Sequence, residues 1–210
     1  MTLFIQMFRY AAEPFFFAQA KEKNAKQTYA DVMKYFVLFG LLIFLGVTLY
    51  MDIFKYFIGP EHWEGLFIVP IVLLANLFLG IFYNLSVWYK LNDLTKYGAI
   101  IAIIGSLVTI SMNLLLVPIF SYAGSAWGHF ACYLAMMILS YYWGRKIFPV
   151  NYDIKKILIY FGLAMILYAA SNFIKPDVLY LRITVNTGLL FVFILSVYLW
   201  ERKQFRLSIK

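Results

Sequence analysis

Long apolar stretches, each about as long as a bilayer is thick, set the limits on what this chain can fold into. A helix needs about 20 mostly apolar residues to cross the hydrocarbon core of a membrane. With 64% hydrophobic and 13% charged residues, the composition is also far from that of a soluble domain. The predicted class is therefore all-α, a polytopic membrane helix bundle. We predict six clear transmembrane helices, at roughly 35 to 57, 66 to 89, 97 to 119, 125 to 144, 157 to 174 and 181 to 200.

A further helix with a polar stripe is predicted ahead of these spans, at residues 2 to 20. On a helix, Arg9 shares a face with Gln6 and Glu13, because residues three and four apart are neighbours. An Arg at the centre of a membrane helix costs about 2.5 to 3.5 kcal/mol, so the stripe should face protein or a wet cavity. Pro14 removes a backbone donor and predicts a kink or break. Alternatively, Arg9 and Glu13 neutralise each other and only join two helices, or both lie near the interface.

The distribution of basic residues predicts the orientation of the spans. Basic loops stay in the cytoplasm, and here they occupy alternate connections. The spans then start and end inside, with a cytoplasmic C-terminus, while helix 2 to 20 begins on the far side. We therefore expect the chain to be the rear part of a longer protein, or to have a partner that supplies the front. The basic groups are Lys21, Lys23, Lys26 and Lys34; Lys90 and Lys96; Arg145, Lys146, Lys155 and Lys156; and Arg202, Lys203, Arg206 and Lys210, whereas the other connections hold only Lys55, Lys175 and Arg182.

Polar and small residues inside the spans predict contacts between helices. Asn76 and Asn84 recur at helical spacing in the second span. Such side chains join helices more often than they touch substrate, although substrate contact stays open for both. Gly124 and Gly128, four residues apart, predict close approach of a neighbouring helix. His129 is expected to be buried and hydrogen-bonded rather than to relay protons, because no carboxylate accompanies it.

The sequence contains no recognisable catalytic, metal or cofactor motif. Neither His62 nor His129 has partners at metal-ligand spacing, and no Gly-rich phosphate loop follows a strand. The single Cys132 excludes an intramolecular disulfide. The net charge of +8 is spread over separate loops, which argues against nucleic-acid binding. We therefore expect a protein that is not an enzyme, without metal or cofactor and with no nucleic-acid partner.

Three long stretches of the chain resemble bacterial polysaccharide biosynthesis membrane proteins, in their rear portion. These proteins are O-antigen-type flippases, related to the lipid II flippase and the multidrug MATE exporters. The resemblance implies the rear portion of a MATE-like fold, in which two helix bundles face a central cavity. The stretches are FRYAAEPFFFAQAKEKNAKQTYADVMKYF (residues 8 to 36), LLANLFLGIFYNLSVWYKLNDLTKYGAIIAIIGSLVTISMNLLLVPIFSYAGSAWGHFACY (residues 73 to 133) and SYYWGRKIFPVNYDIKK (residues 140 to 156).

The resemblance also implies a domain organisation and a function. Residues 1–148 would be the C-terminal bundle helices of a flippase-like transporter whose first bundle is absent, and residues 149–210 would add two transmembrane helices and a basic cytoplasmic tail. The implied activity is translocation of an undecaprenyl-pyrophosphate-linked oligosaccharide across the bacterial inner membrane, for O-antigen, lipopolysaccharide or capsule biosynthesis. The alternatives are a membrane-embedded enzyme of glycan assembly, such as a polymerase or acyltransferase, and a non-catalytic membrane scaffold.

Roles for individual residues follow from that implied function. Arg9 would pair with the pyrophosphate, because a guanidinium binds phosphate oxygens bidentately. Glu13 would hold Arg9 while the cavity is empty, and Pro14 would be the hinge for alternating access. The expected partners are the lipid-linked oligosaccharide, membrane lipids, and a first bundle or second chain. The remaining candidate substrate contacts are Gln6, Asn76 and Asn84.

Overall fold

The computed structural model describes residues 1–174, 176 and 178–208, except for the side chains of 203–208. Within that range all regular secondary structure is helical, with no strand, which confirms the predicted all-α class. Two 3₁₀ segments, Lys55–Phe57 and Pro60–Ile68, lie between the third and fourth α-helices. The α-helices are α1 (Thr2–Gln19), α2 (Ala25–Leu49), α3 (Met51–Phe54), α4 (Val69–Leu85), α5 (Val87–Leu91), α6 (Thr95–Phe120), α7 (Tyr122–Ile147), α8 (Ile154–Phe173) and α9 (Leu179–Ser208).

Five helical stretches in the described part of the chain are long and apolar enough to cross a membrane. They overlap five of the six predicted spans. The remaining prediction, at 125 to 144, forms a helix of 26 residues, α7, but its Gly, Ser, His and Tyr residues make it less apolar than the other five. The five stretches are Ala25–Leu49, Pro60–Leu91, Thr95–Phe120, Ile154–Phe173 and Leu179–Arg202.

The first span begins and ends earlier than the sequence predicted. The prediction was 35 to 57, whereas α2 covers Ala25–Leu49. The segment before residue 35 is rich in Ala, Lys and Gln, which favour a helix. Asp31 also lies 3.9 Å from the Lys34 ammonium, one helical turn away. Lys26 and Lys34 therefore lie on the helix and not in a loop. Four basic residues used for the orientation, Lys175, Lys203, Arg206 and Lys210, lie outside the described side chains.

The chain divides into two compact units. The first consists of Met1–Gly40 and Phe67–Asp153, and the second of Leu41–Leu66 together with the chain from Ile154 onward. The second unit therefore contains the C-terminal part of α2 as well as α8 and α9. The chain leaves the first unit within α2 and later returns to it. The division expected after residue 148 stays a prediction.

Small residues bring α6 and α7 close together in the first unit. A Cβ on Gly124 would lie 2.5 Å from the carbonyl oxygen of Leu116. A Cβ on Gly128 would lie 2.7 Å from the side-chain oxygen of Asn113. At Gly124 the neighbouring atoms are backbone, so only hydrogen fits and the close approach of the two helices predicted there is confirmed. At Gly128 the nearest atom is the end of a side chain.

A buried tryptophan fixes the short helix α5 against α6 and α7. The Trp88 Nε1 donates a hydrogen bond of 3.1 Å to the Ser140 hydroxyl, and both side chains are buried. The indole also lies 5.3 Å from the ring of Tyr97, between ring centroids, and packs against Gly144. These contacts fix the α5 backbone at Trp88, two residues before Lys90. They therefore help to orient the Lys90 side chain toward α1.

An ion-pair cluster joins two segments of the second unit beyond the end of the α2 span. The Arg182 Nη1 lies 2.7 Å from Asp52 Oδ2, and the Lys55 Nζ lies 3.4 Å from Asp52 Oδ1. Partial burial by itself raises the pKa of Asp52, but the hydrogen bonds and positive charges of Arg182 and Lys55 outweigh it. The pKa of Asp52 is therefore held below its usual range.

We expect the second unit to lose stability when the medium is acidified. A carboxyl whose pKa is depressed by folding contributes stability that is complete above its unfolded pKa and is lost as the pH falls through its folded pKa. The unfolding temperature of Asp52→Asn should therefore lie below that of the wild type at about pH 7 and approach it at about pH 3. Glu64→Gln, at an exposed carboxylate, is the control. A difference between Asp52→Asn and wild type that is independent of pH would contradict the assignment.

Candidate functional site

A cleft open to solvent lies in the first unit between α1 and the α4–α5 segment. Apolar side chains, mostly Phe, Val and Leu, form the greater part of its wall. Its polar wall brings residues from the start and the middle of the chain together. These polar residues are Arg9 and Glu13 from α1, Tyr83 from α4, Ser86 from the turn that follows it, and Lys90 from α5.

Arg9 is held in the cleft by an aromatic ring. Its guanidinium carbon lies 5.1 Å from the centroid of the Tyr83 ring, within the range of a cation–π interaction. Of the described residues, none places a carboxylate within ion-pair distance of Arg9. The Arg9 side chain is partly buried. Because no described carboxylate pairs with it, its guanidinium retains hydrogen-bond donors and an uncompensated charge on the wall of the cleft.

Glu13 binds a lysine instead of the arginine predicted from the sequence. Its Oε1 lies 2.9 Å from the Lys90 Nζ, and the two side chains are 40% and 27% exposed. The predicted pairing of Glu13 with Arg9 is therefore wrong. Arg9 precedes Glu13 along the helix, and a basic residue before an acidic one is the less favourable order for such a pair. The ring of Tyr83 provides Arg9 with a different contact.

Two other α1 predictions have different outcomes. Pro14 is exposed inside α1, and the helix continues through it to Gln19, so the proline does not break the helix. A hinge at Pro14 stays a prediction. Gln6 is partly buried but does not line the cleft.

The asparagines predicted as further substrate contacts do not reach this cleft. The Asn76 amide donates to the carbonyl of Val72 at 2.8 Å, and the Asn84 amide donates to that of Gly80 at 3.1 Å. Both bonds return to the helix that carries the asparagine. Asn84 is only 3% exposed, and neither residue lines the cleft. Neither bond joins two helices, so the predicted role in helix–helix contact is not shown, and substrate contact stays a prediction for both.

Three cleft residues were not predicted as site residues. Lys90 was counted only as part of a cytoplasmic basic group, although it follows Tyr83 by about two helical turns and so lies on a similar face. Tyr83 lies in the predicted second span, at 66 to 89. Ser86 is 1% exposed and donates a 2.6 Å bond to the carbonyl of Tyr83 where α4 ends. Spacing could have linked Tyr83 to Lys90, but it could not have shown that α1 packs there.

The histidine of α7 lies outside this site. His129 Nδ1 is 2.9 Å from the carbonyl oxygen of Ser125, and the ring packs against Tyr133. The predicted hydrogen bond is present, but His129 is exposed, so the prediction of burial is wrong. Across the described residues, no three His, Cys, Asp or Glu side chains are grouped so that they could hold a metal ion.

The charges and shape of the cleft suit an anion attached to an apolar chain. Two cations and one carboxylate leave a positive charge beside aromatic and aliphatic side chains. No protein-family model, curated protein or solved structure matches this chain. The described fold therefore defines an all-helical protein with five helices long and apolar enough to cross a membrane, and the cleft is its candidate site.

Proposed function

We propose that this chain belongs to a transporter that moves an undecaprenyl-pyrophosphate-linked oligosaccharide across the bacterial inner membrane, for surface polysaccharide biosynthesis. The observation that carries the proposal is the Arg9 guanidinium, which has no carboxylate partner among the described residues and lies in a cleft with a largely apolar wall. A guanidinium matches phosphate oxygens in two parallel hydrogen bonds. The apolar wall matches the polyprenyl chain attached to the phosphate.

The outer face of α6 supports a membrane location. Ile103, Leu107 and Leu114 are 60%, 59% and 73% exposed there. A continuous apolar face of this kind is unfavourable in water but suits lipid. Two hydroxyl side chains of the same helix are satisfied within it, since Ser106 and Thr109 donate to carbonyls one turn earlier at 2.9 and 3.0 Å.

The position of the cleft along α4 and α5 supports a role within the membrane. Tyr83, which holds Arg9, precedes Lys90 by about 10 Å along the helix axis. In the proposed orientation Lys90 belongs to a cytoplasmic basic group, with the C-terminus on the same side. Arg9 would then lie about two helical turns deeper than Lys90, at a depth where ionisable side chains are costly and mark functional sites.

A second helix bundle is part of the proposal. In the first unit the cleft is lined by α1, α4, the turn after α4, and α5, while Glu13 stays 40% exposed. We propose that a further bundle, in the same polypeptide or in a partner chain, faces this side and that the oligosaccharide passes between the two. Rocking of the bundles would be accommodated by a bend of α1 at Pro14.

Movement of a lipid between the two leaflets of reconstituted vesicles tests this function. The protein, purified from its native membrane and reconstituted, should move a fluorescent short-chain lipid-linked oligosaccharide diphosphate between leaflets faster than empty vesicles do. The fraction protected from a membrane-impermeant quencher measures the movement. The same lipid without phosphate should move no faster than in empty vesicles. Equal movement of both lipids, or none above empty vesicles, would refute the proposal, and a change in the mass of the glycan would favour an enzyme instead.

A further inference from the structure

The cleft holds two cations whose partners differ in kind. Arg9 lies over the Tyr83 ring and has no carboxylate partner among the described residues. Lys90 is neutralised by Glu13 at 2.9 Å. While the Glu13–Lys90 bond is made, the cleft has one available positive charge, on Arg9. When that bond is broken, the cleft has two.

We propose that Glu13 is an internal competitor for the ligand: a diphosphate displaces its carboxylate from Lys90 and is then held between Lys90 and Arg9. This inference rests on the function proposed above and adds a second ligand-binding cation. In this role Glu13 occupies Lys90, whereas it was expected from the sequence to hold Arg9. The carboxylate would occupy the lysine while the cleft is empty, and would keep Lys90 from any anion too weakly charged to replace it.

Charge explains why a diphosphate and not a monophosphate is the matching ligand. A diphosphate diester carries two negative charges, and a phosphate diester carries one. With Glu13 on Lys90, the cleft offers one uncompensated cation, Arg9, which suffices for a single charge. Two charges are matched only when Glu13 leaves Lys90. Displacement of Glu13 therefore selects for the diphosphate.

The ion pair is one that a ligand can replace. Both side chains are partly exposed, and partly exposed ion pairs contribute little because water competes for the charges. The Lys90 Nζ is the hydrogen-bond partner that the structure gives to Glu13. The Lys90–Glu13 bond that would be lost is charge-assisted, and the diphosphate replaces it with charge-assisted bonds from both Lys90 and Arg9. Along α1, Arg9 and Glu13 are about 6 Å apart, a separation that a diphosphate can span.

Binding of two methyl esters to the purified full chain tests the inference. One is farnesyl diphosphate methylated on its terminal phosphate, which carries two negative charges, and the other is farnesyl phosphate methylated on its phosphate, which carries one; they are called farnesyl diphosphate and farnesyl phosphate below. Glu13→Gln should tighten farnesyl diphosphate binding about fivefold, the effect expected when a partly exposed ion pair is removed. It should change farnesyl phosphate binding much less. Lys90→Gln should weaken farnesyl diphosphate binding about tenfold, since one charge-assisted bond is lost. Glu22→Gln, at an exposed carboxylate between α1 and α2, is the matched control and should change neither.

The double variant Glu13→Gln, Lys90→Gln separates displacement from a general charge effect. If Glu13 acts through Lys90, the double variant should not show the gain of Glu13→Gln. A double variant that binds farnesyl diphosphate as tightly as Glu13→Gln would overturn the inference, and so would a Glu13→Gln variant that binds like wild type. If Arg9→Gln still abolishes binding in that case, the proposed function stands. Absence of any farnesyl diphosphate binding to the wild type would reject both. Circular dichroism and unfolding temperature verify that each variant is folded.

Discussion

Replacing Gly124 with alanine should destabilise the first unit by about 3 kcal/mol, within the range for a forced overlap in a packed core. The added Cβ would lie 2.5 Å from both the carbonyl carbon and the carbonyl oxygen of Leu116, and 2.7 Å from the Val117 nitrogen. These are backbone atoms of α6, so no side-chain rotation can remove the overlap. The Gly124 nitrogen also donates to the carbonyl of Ser121 at 3.1 Å, which restrains the turn between α6 and α7. Unfolding in mixed micelles measures the loss.

The chain provides a matched control for this substitution. Gly162 lies within α8, and a Cβ added there would meet nothing within 4 Å. Gly162→Ala should therefore be neutral or stabilise the helix by up to about 1 kcal/mol, because alanine has the higher helix propensity. Both changes add one methyl group to a helical glycine and differ only in what that methyl group meets. Equal shifts in the two proteins would show that the α6–α7 approach does not limit stability.

The helices could be predicted well because their signals are local. Apolar length marked five stretches that the structure makes helical, and glycine spacing predicted where α7 approaches α6. The ends were predicted less well. Hydropathy reports where a helix is apolar, whereas α2 starts ten residues before its predicted span, in the charged segment beginning at Ala25. Good helix formers and the Asp31–Lys34 pair extend α2 beyond its apolar part.

Only the part of the site formed by residues close together in the chain could be predicted from the sequence. The stripe of Arg9 and Glu13 follows from helical periodicity, and both residues do line one cleft. The partner of Glu13 is 77 positions away, so no spacing rule reaches it. For Asn84 the sequence left helix contact and substrate contact open, and its amide bonds to its own helix. A polar residue in a span has the same appearance in the sequence whether it binds a ligand or bonds to a backbone carbonyl, so the sequence does not distinguish the two roles.

Replacing Arg9 with alanine should reduce farnesyl diphosphate affinity on the order of 100-fold, since two charge-assisted hydrogen bonds to the ligand are lost. Transport of the lipid-linked oligosaccharide should fall to the level of empty vesicles. Arg9→Lys keeps the charge but loses the planar fork, so we expect an intermediate loss of about tenfold. Equilibrium binding and the quencher-protected fraction measure the two effects on the same preparations.

Tyr83 and Lys96 provide the controls that separate binding from folding and from net charge. Tyr83→Phe keeps the ring beneath the guanidinium, so binding should be preserved, whereas Tyr83→Leu removes the cation–π contact and should weaken binding without abolishing it. Lys96 is an exposed cation at the start of α6, and Lys96→Ala should leave both binding and transport unchanged. If Arg9→Ala transports at the wild-type rate while folded, the guanidinium is not the ligand-binding group. If Lys96→Ala is as impaired as Arg9→Ala, general surface charge and not the cleft attracts the lipid diphosphate.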